Sequence, residues 1–332
     1  MNTSTLKTLL IEYSKKKLRA EELAYHNKLS LYEEFPELDA IDKKLSSLAL
    51  STMKAVTQNN NKDLIVQLNE KIQQLKKEKE KILNSIGSKA NTIVPHYECQ
   101  NCLDTGYIST GASSQMCNCL KQRIYNIEYN KSNIHNLEKQ NFDNFNLALF
   151  SSEVSPEKYN SNVSPRENMQ LIQNICLQFI ENFENLDEKN LLFTGKTGLG
   201  KTFLSSCIAN ELLKKGKTVL YQTSSNMLDA IINYRFGKPN TASDIYDLLL
   251  NVDLLIIDDL GTESPNNMKL AELFNLLNSR LLNTKKSTKT IISTNLSLQS
   301  LFKTYDERIV SRIVGNYNIC YFFGEDIRFN QG

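Results

Sequence analysis

The chain lacks a net field: among 332 residues, 39 Lys and Arg stand against 37 Asp and Glu, a formal charge of +2. Overall charge therefore cannot recruit nucleic acid, and any such binding must come from a local patch. No apolar run reaches the roughly 18 residues that a membrane helix needs, and the mean hydropathy is −0.39. The opening residues, MNTSTLKTLLIEYSKKK, lack an apolar core segment and a small-residue cleavage site, so a secreted or membrane protein is not expected. Seven cysteines, an odd number without an export signal, point to a reducing cytoplasm. There, close cysteine pairs are more often metal ligands than disulfides. The length allows two domains and a small appendage.

Residues 1–90 are nearly free of Gly and Pro; Pro36 and Gly87 are the exceptions. From Leu64 the apolar positions run Leu68, Ile72, Leu75, Ile82 and Ile86, a single helical stripe in which Lys79 takes one place. Pro36 and the polar stretch at residues 58–62 are natural breaks, so about three helices are expected. Two readings stay open for this all-helical N-terminal domain: a hairpin packed on itself, or an apolar face that docks a partner protein.

Residues 91–139 read as a small zinc-binding module and linker. Cys99, Cys102, Cys117 and Cys119 form a CxxC and a CxC pair separated by a Gly-, Ser- and Thr-rich stretch. Two close pairs of thiolates suit the tetrahedral shell of structural Zn²⁺, and a metal would supply folding energy that so polar a loop lacks. Redox dithiols or unrelated buried cysteines are the alternatives. His96 is a spare ligand or a surface residue, and Cys176, Cys207 and Cys320 lie singly in apolar segments as core residues.

Residues 140–332 carry the chemistry. An apolar strand leads into Gly195-Lys196-Thr197-Gly198-Leu199-Gly200-Lys201-Thr202, and an amphipathic helix follows, closed by Gly216. This is GxxxxGK[ST] in its strand–loop–helix setting. The glycines allow backbone N–H groups to face a phosphate at the positive end of the helix. Lys201 would reach the β- and γ-phosphates of ATP, and the Thr202 hydroxyl would bind Mg²⁺. A second apolar strand, DLLIID at residues 253–258, ends in acid and is followed by Asp259. Asp258 would hold Mg²⁺ through water and Asp259 would polarise the attacking water. Asp is shorter than the more usual Glu, so slow intrinsic hydrolysis is expected. A third strand, KTIISTN at residues 289–295, places Asn295 between the two earlier strand ends. With TVLYQT and NICYFFG, five apolar strands alternate with helical stretches, an α/β P-loop NTPase with a parallel five-stranded sheet.

Two arginines stand beyond these strands. Arg308 and Arg312 lie four apart on one helix face, and Arg312 is a candidate trans-acting finger that reaches a neighbouring subunit's nucleotide. In GEDIRFNQG, Arg328 is a candidate second sensor of the γ-phosphate. Tyr234, Arg235, Phe236 and Lys238 interleave two rings with two cations, a pattern that fits a single-strand contact as well as a core ring with solvated charges.

The order GKTGLGKTFLS, LLIIDDLGTE, TIISTNLS, ERIVSRI and GEDIR resembles the AAA+ domain of bacterial replicative helicase loaders of the DnaC/DnaI type. The upstream YECQNCLDTGY…CNCLK resembles the module that many Gram-positive members carry. The resemblance covers residues 95–332. It implies an ATPase that binds the hexameric replicative helicase through its N-terminal domain, self-associates through the ATPase domain and holds single-stranded DNA. By position Lys201, Thr202, Asp258 and Asp259 take the Walker roles, Asn295 the first sensor, Arg312 the finger and Arg328 the second sensor. The competing readings are a transposase-helper ATPase of the IstB type and a nucleotide-dependent adaptor that does not hydrolyse.

Overall fold

A computed structural model describes residues 3–58, 62–111, 113–128, 139–236, 243–264, 266–284 and 286–329. The chain divides into two compact units, Lys7–Cys117 and Asn118–Gly332, the second including Met1–Leu6.

The first unit opens with α1 (Thr3–Glu34), α2 (Pro36–Gln58) and α3 (Lys62–Ile86). These bounds follow from the breaks in the sequence. Pro36 has no N–H to leave unpaired at a first helical position, and Glu37 and Asp39 meet the positive end of the helix dipole. The α3 stripe lies half-buried in a helical hairpin with α2. Lys79 keeps its place there because its ammonium reaches Asp42 Oδ1 at 2.6 Å, while Lys28 and the Tyr32 hydroxyl also hold that carboxylate. Burial alone would raise the Asp42 pKa; the bonds from Lys79, Tyr32 and Lys28 outweigh it and lower the net value. Apolar side chains are left exposed on α1 at Ile11, Leu18 and Tyr25, seven residues apart, and on α2 at Leu50, Met53 and Val56. Beyond α3, the short antiparallel pair β1 (Tyr107–Ser109) and β2 (Ser114–Met116) spaces the cysteine pairs.

The second unit begins with α4 (Asn118–Glu128), α5 (Pro156–Tyr159) and α6 (Pro165–Glu181). Then come β3 (Asn190–Thr194), α7 (Lys201–Lys214), β4 (Val219–Thr223), α8 (Ser224–Phe236), α9 (Ser243–Asn251) and β5 (Leu254–Leu260). The chain continues through α10 (Asn267–Leu281), β6 (Lys289–Thr294), α11 (Leu298–Thr304), α12 (Glu307–Asn316) and β7 (Tyr317–Tyr321). The five expected strands form one parallel sheet in the order β4-β5-β6-β3-β7. A parallel sheet is covered on both faces, so its strands read as unbroken apolar runs. One core joins the sheet to α6 and α7 through Phe179, Leu204 and Ile208; the other joins it to α8, α10 and α12 through Leu228, Leu276 and Ile309. Gly216 closes α7 in the left-handed conformation, with the Lys217 N–H on the Leu212 carbonyl.

The division between the two units falls after Cys117, within the stretch expected to hold the cysteine module. Residues up to Cys117 group with the helices, whereas α4 belongs to the sheet unit. Gln122 of α4 explains why: its side chain accepts the Val219 N–H at 2.7 Å and donates to the Val219 carbonyl at 2.9 Å. It thereby satisfies the open edge of β4 as a neighbouring strand would.

Candidate nucleotide site

The phosphate loop joins β3 to α7 at the carboxyl edge of the sheet. Gly195 has φ +145, and a Cβ there would stand 2.2 Å from the Phe322 carbonyl oxygen, so only glycine lets the strand turn away so close to β7. Gly200 occupies the N-cap of α7 and offers no side chain, which leaves the helix's first N–H groups facing outward for an anion. Leu199 is buried and anchors the loop from below. Lys201 is buried too: its ammonium donates to the Gly195 carbonyl at 2.6 Å, the Lys196 carbonyl at 2.7 Å and Asn295 Oδ1 at 2.9 Å. Burial lowers its pKa, against the opposing pull of Asp259 and Asp258.

β5 runs two residues past the expected end at Asp258, to Leu260, and Asp258 lies near its carboxyl end, with the Thr202 hydroxyl 3.4 Å from its Oδ2. The Tyr221 hydroxyl donates to the same oxygen at 2.7 Å and the Ser293 hydroxyl to Oδ1. These partners are neutral hydroxyls. They orient the carboxylate without bringing positive charge, and Asp258 with Thr202 offers oxygen donors that suit Mg²⁺. Neither Tyr221 nor Ser293 was apparent from the sequence as a site residue. Tyr221 sits within an apolar strand and carries no signal, whereas Ser293 is a small polar residue near a strand end and could have raised one.

At Asp259 the pairing of β5 with β6 shifts register between Ile257 and Leu260, and Asp259 takes φ +54. Such irregularity re-aims a side chain. Its N–H donates to Ser293 Oγ at 3.1 Å, and its Oδ1 accepts the Asn295 amide at 3.4 Å. Burial, then the neighbouring Asp258 charge, raises the Asp259 pKa. Asn295 thus bridges Lys201 and Asp259, in the gap between strand ends where the sequence placed it. Glu263, also not apparent from the sequence, accepts the Gly261 N–H at 3.0 Å together with the Ser224 and Tyr305 hydroxyls, and so braces the turn after Asp259.

These groups surround a cavity of about 500 Å³ lined by Thr197, Gly198, Leu199, Gly200, Lys201, Thr202, Asp259 and Asn295, with Gln140, Phe203, Ile327 and Arg328 on its walls. This volume suits a nucleotide-sized ligand. Arg328 reaches the wall paired with Asp326, whose carboxyl it holds down at about 2. Arg312 does not line this cavity. It stands on α12 with Nε donating to Asn278 Oδ1 at 2.6 Å and its guanidinium 5.1 Å from the Phe274 ring. Arg308 covers the same ring at 5.1 Å and pairs with Asp306 at 3.0 Å.

The segment read as a candidate single-strand contact, residues 234–238, is only partly described. Arg235 forks onto Glu272 at 2.8 and 2.9 Å and lies over the Tyr246 ring, on which Tyr234 also stacks. The Phe236 side chain and Lys238 lie outside the described residues.

In the cysteine module the sulfurs of Cys99, Cys102, Cys117 and Cys119 all lie within 4.8 Å of one another. Cys99 and Cys117 are 3.8 Å apart, the edge of a tetrahedron with Zn–S bonds of about 2.3 Å. The Asp104 carboxylate accepts the Glu98 and Cys99 N–H groups at 2.9 and 2.8 Å, and the Gly106 N–H donates to Cys102 Sγ at 3.3 Å. The donor set fits structural zinc. His96 is exposed and outside the cluster. Cys176, Cys207 and Cys320 are buried, as expected; burial pushes the last two thiols up to about 12.

A family profile described as IstB-like ATP binding protein matches residues 128–318. The chain belongs to this family. The match spans the phosphate loop, Asp258, Asp259, Asn295 and Arg312; it excludes the cysteine module and Arg328. With it, the sheet order and the loop define an AAA+ ATPase domain. The replicative helicase loader DnaC of Escherichia coli K12 is 30% identical over 140 residues, which is 42% of this chain and 56% of that protein. The uncharacterized protein YdaV of the same organism is 28% identical over 127 residues, 38% of this chain and 50% of that one. The chain thus spans about half the length of the curated relatives it matches. Among solved structures, a DnaC helicase loader shares 22% identity over 54% of this chain and 96% of its own, with a TM-score of 0.42. The fold assignment rests on the strand order and the loop rather than on that likeness. No described helix is long and apolar enough to cross a membrane.

Proposed function

We propose that this chain is a cytoplasmic, ATP-dependent loader of the replicative DNA helicase. The observation that carries the reading is the convergence of Lys201, Thr202, Asp259 and Asn295 on one cavity, with Asp258 beside Thr202, in a chain 30% identical over 140 residues to a DnaC loader. The loop's N–H groups and Lys201 bind the phosphates of ATP, with Lys201 exchanging a backbone carbonyl for a phosphate oxygen. Thr202 and Asp258 hold Mg²⁺, which when bound neutralises charge on the β- and γ-phosphates. Asp259 accepts a hydrogen bond from the attacking water, and Asn295, already bonded to Asp259 and Lys201, fixes that water's direction. Arg328 senses the γ-phosphate from the cavity wall. Arg312 acts across a subunit boundary, consistent with its place outside the cavity of its own chain. The domain therefore self-associates around single-stranded DNA, and the helical unit with its exposed α1 face meets the hexameric helicase. Cys99, Cys102, Cys117 and Cys119 hold zinc to stabilise their module.

Capture of the host's replicative helicase by the full chain, with ATP turnover raised by single-stranded DNA, tests the reading. The family match keeps a second reading in view: capture of a transposase instead of the helicase would make the chain a transposase helper. Arg312→Ala is expected to leave nucleotide affinity intact and to remove stimulated turnover. Mixing it with Lys201→Ala protein restores part of the activity, because each supplies what the other lacks. No recovery over a range of ratios, with assembly verified, would place Arg312 in a structural role.

A further inference from the structure

Asp258 is bracketed from both neighbouring strands. In β4, Thr223 pairs with Asp258, so Tyr221, two residues earlier, lies on the same sheet face and its ring reaches forward to Oδ2 at 2.7 Å. In β6, Ser293 approaches from the other side and its hydroxyl donates to Oδ1. Tyr221 is 1% exposed and Ser293 fully buried. A buried phenol needs a hydrogen-bond partner, and this one is spent on a carboxylate that the metal also requires. An Asp258 carboxylate free to rotate would lose its approach to the Thr202 hydroxyl, 3.4 Å from Oδ2.

We propose that Tyr221 and Ser293 are positioning residues that hold the Asp258 carboxylate toward Thr202 and the Mg²⁺ position. This rests on the ATP–Mg²⁺ reading of the site. Groups that orient a metal-bound carboxylate typically change metal affinity about 10- to 100-fold when removed.

The test measures binding of a fluorescent ADP to the full chain across a Mg²⁺ titration, for wild type, Tyr221→Phe and Ser293→Ala, with melting temperature recorded for each. Both substitutions remove one oxygen and keep the remaining shape. The expected result is a rise of about 10-fold in half-saturating Mg²⁺ for each variant, with affinity in chelator unchanged within about twofold. Wild-type Mg²⁺ dependence in both variants, whatever happens to melting temperature, would reduce the two residues to core packing and overturn the proposal. A wild-type protein whose ADP affinity ignores Mg²⁺ would overturn it differently, by removing Asp258 from metal binding, while the phosphate-loop assignment of Lys201 would stand.

Discussion

Replacing Gly195 by Ala should unfold the ATPase unit well below the wild-type temperature. At φ +145 an L-residue is strained by roughly 1–3 kcal/mol. The added Cβ would also lie 2.2 Å from the Phe322 carbonyl oxygen and 2.9 Å from the Phe322 Cβ, where ordinary contact begins at 3.4 Å. A backbone carbonyl cannot rotate aside, and β3 and β7 are tied there by the Phe322 N–H on the Thr194 carbonyl at 2.7 Å. Relieving such overpacking costs about 1–3 kcal/mol more. For a unit of this size each kcal/mol moves the melting temperature by about 2–4 °C, so a fall of about 5–20 °C is expected. Gly200→Ala is the control. With φ +86 but its nearest neighbour at 3.8 Å, it bears only the left-handed strain of about 1–2 kcal/mol, or about 2–8 °C. Calorimetry of the nucleotide-free full chain reads both, and the ATPase transition is recognised as the one that rises with ATP and Mg²⁺. A Gly195→Ala protein that melts no lower than Gly200→Ala would refute the claim that the contact with β7 enforces glycine.

Lys201→Ala should lose nucleotide affinity in equilibrium binding while the helical content of the chain by circular dichroism stays at wild-type level; undiminished affinity would remove Lys201 from the site. Cys117→Ser with Cys119→Ser should abolish one bound zinc per chain, read by elemental analysis, since two of four soft ligands are gone; a metal-free wild-type protein would contradict this. The pH profile of turnover should be narrowed from both sides. Asp259 works ionised and its pKa is raised, so activity falls at a higher pH on acidification than an ordinary carboxylate allows. Lys201 works protonated and its pKa is lowered, so the alkaline limb begins below that of an ordinary lysine. An acid limb at the usual carboxylate value, near pH 4, would exclude Asp259 as the controlling group. Lys79→Met should destabilise the helical unit by about 1–3 kcal/mol, because it removes a partner of the half-buried Asp42 carboxylate. In wild type, the ionised Asp42 contributes stability above its unfolded pKa that is lost as pH falls through its lowered folded value. Thermal unfolding at neutral and acid pH reads both effects, and equal melting of variant and wild type at neutral pH would refute the first.

The parts legible in the sequence were those that neighbouring residues settle among themselves. The phosphate loop is such a part: its glycines, lysine and threonine are consecutive, and the strand before and helix after place them without reference to the rest of the chain. The helix breaks at Pro36 and Gly216 and the adjacent acids Asp258 and Asp259 after an apolar run are local in the same sense. The α3 stripe was equally plain, but whether its partner was α2 or another protein was not. Tertiary structure decided that in favour of α2, and it explained Lys79 by Asp42, 37 residues away. It also gave Arg235 a partner in Glu272, again 37 positions distant. Tyr221 and Ser293 reach Asp258 from 37 and 35 residues away. They meet it only because crossovers bring β4 and β6 to either side of β5. A strand's own sequence records that it is buried, through an apolar run, but not which strands flank it. Hydroxyls that orient a buried carboxylate belong to the flanking strands, so strand order had to be known before the bracket around Asp258 could be seen.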